Sequence, residues 1–180
     1  GGGCQVGTGR QALPEDAADV SPARILVAGI GNIFLGDDGF GSEVISRVGG
    51  RLDAPGVRVV DYGIRCMHLA YDLLDGVDAL VLVDALPDRG APGAVRIFEA
   101  GREPEPPENA PVLDAHGMDP QAVFASLRAL GGSPPRTVVV GCEVADVGDG
   151  IGLSEPVAAA IPEAVRAVEQ AVAMLSGIRS

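Results

Sequence analysis

The sequence predicts a three-layer αβα domain of the α/β class, with a mostly parallel, twisted sheet of about five strands flanked by helices. Three observations carry this reading. Continuous runs of branched apolar residues, Ile25-Leu26-Val27-Ala28 and Ala79-Leu80-Val81-Leu82-Val83, have the character of strands buried on both faces. Stretches with apolar residues at helical spacing lie between such runs, so strand and helix alternate along the chain. Aromatic residues make up only 3% of the chain and Trp is absent, which leaves Val, Leu, Ile and Ala to build the core. A length of 180 residues suits one domain with a sizeable core.

Residues 1–23 are expected to form a flexible tail, being Gly-rich and then polar, without periodicity. The single domain is expected over 24–180. Its first strand covers Arg24–Ile30 and runs into the glycine-rich turn Gly31–Gly36. A helix follows from about Asp38 to Arg51, with Val44, Ile45 and Val48 on one face and Gly49-Gly50 weakening its end. A second strand, Val57–Val60, ends in Asp61-Tyr62-Gly63. The next helix, Ile64–Leu74, is expected to pack through Met67, Leu69, Ala70, Leu73 and Leu74. Asp78–Asp84 reads as a third buried strand ending in a carboxylate, and Ala94–Phe98 as a shorter one at an edge.

Glu103-Pro104-Glu105-Pro106-Pro107 can be neither helix nor central strand, so residues 101–111 form a surface loop. His116 comes next, just ahead of Asp119-Pro120, a pair that suits the N-cap and first position of a helix running to Leu130. Thr137–Val140 is the last core strand, and Pro156–Leu175 the closing helix.

Composition excludes several classes. There are 25 acidic against 13 basic residues, a net charge of -12, which argues against nucleic-acid binding and against anionic membranes. The three cysteines, Cys4, Cys66 and Cys142, are far apart and form no C-x-x-C pair, so neither a zinc knuckle nor a disulfide framework is indicated. A reduced, cytoplasmic setting is expected. No apolar run approaches the roughly 20 residues that span a bilayer, and no secretory signal is visible at the N-terminus.

The chemistry is expected at one edge of the sheet. In open parallel sheets, ligands bind beyond the carboxyl ends of the strands, where the strand order reverses. Asp37 and Asp38 follow the first strand, Asp61 ends the second, Asp84 ends the third, and His116 leads into the third helix. Carboxylate oxygens and one imidazole make a set suited to a divalent transition metal. Blander roles stay open for each residue taken alone. Asp37 and Asp38 also suit a helix N-terminus, Asp84 a turn, and His116 a solvated loop. His68 reads as a surface or packing residue, and Cys66 and Cys142 as small core residues.

The stretch Gly31-Asn32-Ile33-Phe34-Leu35-Gly36-Asp37-Asp38-Gly39-Phe40-Gly41 resembles the signature of the hydrogenase maturation proteases. The similarity continues through Asp61-Tyr62-Gly63-Ile64-Arg65, Leu82-Val83-Asp84-Ala85, Asp114-Ala115-His116-Gly117 and Gly150-Ile151-Gly152-Leu153-Ser154, in that order. Cys66 departs from the pattern, where the family has a small residue. The resemblance implies an endopeptidase of aspartic or metal-dependent type that removes the C-terminal extension of a nickel–iron hydrogenase large subunit. It implies that Asp38, Asp84 and His116 are at once the metal-contacting and the catalytic residues, with Asp37 supporting the turn. The nickel is implied to belong to the partner, the nickel-loaded large-subunit precursor, and not to reside in this chain. Metal-activated water and an aspartate general base are both compatible with that chemistry.

Two rival readings use the same residues. A nickel-dependent assembly chaperone would dock on the precursor without cutting it. A Rossmann-like nucleotide-binding oxidoreductase would use strand–Gly-x-Gly–helix, but G-x-G-x-x-G needs glycine where Phe34 stands. The carboxylate pair would also repel a pyrophosphate from the helix N-terminus.

Overall fold

The computed structural model describes residues 22–100 and 120–177. Five strands, β1 (Ile25–Ile30), β2 (Val57–Gly63), β3 (Ala79–Leu86), β4 (Val95–Glu99) and β5 (Arg136–Glu143), form one sheet in the order β2-β1-β3-β5-β4. All neighbouring pairs are parallel except β4 with β5. The helices are α1 (Phe40–Val48), α2 (Cys66–Leu74), α3 (Pro120–Ala129) and α4 (Glu155–Ser176), and a short 3-10 turn, Gly36–Gly39, precedes α1. The expected three-layer, mostly parallel α/β fold is the one found.

The alternation of side chains along buried strands explains the layers. Ile25, Val27, Val81, Val83, Val138 and Val140 point to one face, which α1 and α4 cover through Phe40, Val44, Val48, Ile161, Val165 and Val168. Leu26, Ala28, Leu80, Leu82 and Val139 point to the other, covered by α2 and α3 through Leu69, Leu73, Val123, Phe124 and Leu127. Every residue of β1 is buried. Pro162 lies inside α4 and removes one helical N–H there, but the long buried stripe of Ala and Val holds the helix to the sheet.

Several element limits differ from the sequence reading. β2 runs on to Gly63, because Asp61 and Gly63 keep pairing with β1 around an irregularity that skips Tyr62. The first helix begins only at Phe40, after the 3-10 turn, and ends at Val48. Neither Asp37 nor Asp38 caps it with its side chain, since both carboxylates are engaged elsewhere. In α2, Leu69, Ala70 and Leu73 are buried as expected, whereas Met67 (44% exposed) and Leu74 (43%) face outward. Of the expected tail, residues 1–21 lie outside the described residues, and Ala23 is buried in the core. The expected loop over 101–111 also lies outside them. Among the described residues no helix is long and apolar enough to cross a membrane.

Candidate active site

β1 lies between β2 and β3, so the chain leaves β1 to one side for β2 and later returns on the other side for β3. The strand order therefore reverses between β1 and β3, and a crevice is expected at their carboxyl ends. The turn carrying Asp37 and Asp38 sits over that point. Its placement depends on absent side chains. A Cβ on Gly41 would lie 2.5 Å from the Ile30 carbonyl oxygen and 2.6 Å from that of Val83, so only glycine lets α1 start against the ends of both strands. Gly31 has φ +136°, and a Cβ there would meet the Asp38 carbonyl oxygen at 2.0 Å.

The two adjacent carboxylates have different tasks. Asp37 is fully buried and accepts four hydrogen bonds. Its Oδ2 takes the amides of Ala145 (2.8 Å) and Asp146 (2.9 Å) and the Ser154 hydroxyl (2.7 Å), and its Oδ1 takes the Ser154 amide (2.7 Å). Burial pushes this carboxyl up, but the bonds from Ser154, Asp146 and Ala145 outweigh it and hold the group below its ordinary range. Asp37 is thus a supporting residue of the turn, fastening it to the 145–154 loop. Two backbone bonds between Gly150 and the pair Phe34 and Gly36 complete the join.

Asp38 is turned toward the strand ends. It is 6% exposed, and its Oδ2 accepts the Asn32 amide at 2.7 Å, which fixes the carboxylate over the end of β1. Asp84 is 3% exposed on β3. Val83 is the last β3 residue paired with β1, opposite Gly29, so Asp84 lies just beyond that pairing, level with Gly141 of β5. Two buried carboxylates from elements remote in sequence thus stand at the ends of adjacent strands.

His116 lies outside the described residues. α3, which resumes at Pro120, leads into the start of β5, so its first residues lie toward the edge where β3 and β5 end. Among the described residues no group of three His, Cys, Asp or Glu side chains is placed to hold a metal. Asp61 reaches the same rim but serves the scaffold: its Oδ1 accepts the Ser42 hydroxyl at 2.8 Å and the Gly63 amide at 3.0 Å. His68 is exposed on α2, Cys66 is half-buried, and Cys142 is in the core, where burial and then the nearby Asp37 charge push its thiol up to about 11. A cleft of about 370 Å³ opens beside the turn, lined by Ile33, Gly39, Ser42, Asp61, Ile151 and Leu153 among others.

A further buried carboxylate escaped the sequence reading. Glu143, 2% exposed at the end of β5, accepts the amides of Arg89 (2.8 Å) and Ala91 (3.1 Å) through Oε1. Its Oε2 takes the Arg96 guanidinium at 2.8 and 3.0 Å. Burial pushes the Glu143 carboxyl up, and these bonds outweigh it and bring it below its ordinary range. Its partners lie on β4 and the loop leading to it, so its role is to hold the antiparallel edge strand. The readable signal was a lone Glu closing the apolar run Val138-Val139-Val140-Gly141-Cys142, with Arg96 on the neighbouring strand.

A family model described as hydrogenase maturation protease matches residues 42–171. The hydrogenase expression/formation protein HupD of Rhodobacter capsulatus is 31% identical over 153 residues, spanning 81% of this chain and 71% of that protein. The hydrogenase 2 maturation protease of Escherichia coli is 31% identical over 161 residues, spanning 87% and 94% of the two chains. The solved structure of the hydrogenase maturating endopeptidase HybD from Escherichia coli superposes with a TM-score of 0.67 at 30% identity, covering 84% of this chain and 93% of that one. With the family model matched over residues 42–171 and relatives 31% identical along most of their length, the chain belongs to the hydrogenase maturation protease family.

Proposed function

We propose that this endopeptidase removes the C-terminal extension of the large-subunit precursor of a nickel–iron hydrogenase, and that it recognises the nickel held by that precursor. Asp38, Asp84 and His116 are the residues assigned to the metal and to catalysis. The observation that carries the reading is the pair of buried carboxylates, Asp38 and Asp84, at the reversal point between β1 and β3. Two acidic groups brought to one crevice repel each other, and a cation supplied by the substrate relieves that repulsion. Carboxylate oxygen and imidazole nitrogen are donors that a borderline ion such as nickel accepts beside thiolates.

On this reading the metal is part of the substrate. The work of the chain is orientation: Asn32 fixes the Asp38 carboxylate, the sheet fixes Asp84, and Asp37 keeps the turn in place. An ion gripped in common would place the adjoining peptide segment in the cleft beside Gly39 and Ser42. The test is mass analysis of a nickel-loaded precursor after incubation with the protein. A precursor shortened at its C-terminus is expected with the wild type. Asp84→Asn and His116→Ala are expected to abolish shortening and to weaken binding to the nickel-loaded form. Normal processing by His116→Ala would defeat the assignment, and binding without shortening by the wild type would identify an assembly chaperone.

A further inference from the structure

Seven of the nine large apolar side chains left exposed among the described residues gather along one continuous track. At the mouth of the cleft stand Ile33 and Ile151 (76% exposed), with Phe34 (61%) next to Ile33 in the turn. They are held side by side, because the Gly150 amide donates to the Phe34 carbonyl at 2.8 Å and the Gly36 amide to the Gly150 carbonyl at 2.9 Å. The same loop begins at Gly31, whose amide donates to the Gly63 carbonyl at 3.0 Å, so Ile64 (64%) adjoins this group. From there Met67, Tyr71 (52%) and Leu74 continue down α2. Positions 67, 71 and 74 recur every three or four residues, which puts them on one side of the helix, away from buried Leu69 and Leu73.

We infer that this track is the docking surface for the folded body of the hydrogenase large-subunit precursor, an apolar surface beside its C-terminal extension. The inference rests on the reading that this chain cleaves that precursor. Continuity with the cleft is the main argument, since a protein substrate whose peptide bond enters there must lie against what surrounds it. From Met67 to Leu74 the track runs about 10 Å along α2 at 1.5 Å per residue, past the reach of the residues next to the scissile bond. Contiguous exposed apolar area of this kind marks interaction sites, and Phe, Met and Tyr are side chains that interface cores favour. A second copy fits less well, because two chains each of net charge -12 repel.

The test is a Met67→Asp/Tyr71→Asp double variant assayed with a purified large-subunit precursor, measuring Kd by interferometry and kcat and KM by processing. Both Kd and KM are expected to rise at least about tenfold with kcat unchanged. Ile97→Asp, an exposed apolar position off the track, is expected to change neither. Kd and KM within about twofold of wild type in a variant that melts normally would overturn the inference. So would a wild-type dimer that the double variant dissociates while its precursor Kd is kept. If the aspartates unfold α2, Met67→Gln/Tyr71→Ser carries the same comparison. Because Kd does not require cleavage, a wild type that binds but never shortens the precursor would refute the proposed activity and leave the docking test intact.

Discussion

Replacing Asp37 by Ala should be among the most destabilising single changes in this protein. The side chain is fully buried and satisfies three backbone amides, those of Ala145, Asp146 and Ser154, together with the Ser154 hydroxyl. A buried donor deprived of its acceptor costs roughly 1–3 kcal/mol. Ala145 and Asp146 are exposed residues whose amides regain water, so the lower end of that range applies to them. Three amides at about 1 kcal/mol each, plus a small cavity, give a loss of about 3–4 kcal/mol for Asp37→Ala. Ser154→Ala removes only the hydroxyl bond and should lose about 1 kcal/mol. Urea unfolding at constant m reads both values as shifts in midpoint. If Asp37→Ala cost no more than Ser154→Ala, the view of Asp37 as the fastener of the turn would be wrong.

The same residue sets a pH dependence. Its folded pKa is depressed, so its contribution is present above the ordinary value of 3.8 and is lost as pH falls through the folded value. Wild-type stability should therefore drop more steeply than that of Asp37→Asn once the pH goes below about 4.

Two further changes probe the scaffold. Glu143→Ala should lose about 2–4 kcal/mol by stranding the Arg89 and Ala91 amides, whereas Arg96→Ala, whose side chain is 53% exposed, should lose about 1 kcal/mol; denaturant midpoints separate the two. Gly41→Ala should abolish precursor processing and lower the melting temperature, because its Cβ would press on the Ile30 and Val83 carbonyls and lift the turn off the strand ends. A Gly41→Ala protein with wild-type processing would show that the seating of α1 does not govern the site.

What the sequence made legible followed from apolar continuity. β1 and β3 are buried on both faces, so their composition alone betrays them, and a mostly parallel sheet was reachable from alternation of strand and helix, whereas the strand order that puts the reversal between them was not. Glycines around Asp37 and Asp38 marked the turn because the close approaches at Gly31 and Gly41 admit nothing larger. The division of labour between the two carboxylates was not legible. It depends on the 145–154 loop, more than 100 residues away, folding back onto Asp37. Met67 and Leu74 were assigned to the packed side of α2 because apolarity at helical spacing does not say which of two apolar stripes meets the sheet. Glu143 was passed over because its compensation lies on a neighbouring strand and in a loop.

The long-range anchoring of Asp37 also bears on the order in which this corner of the fold assembles. Its hydrogen-bonding partners are separated from it by 108 to 117 positions. A nascent or truncated chain ending before residue 145 retains the signature motif yet lacks the segment that clamps it, so contacts of such high sequence separation make assembly of this corner a late event. A chain cut at that point leaves the Asp37 carboxylate without the four hydrogen bonds that hold it.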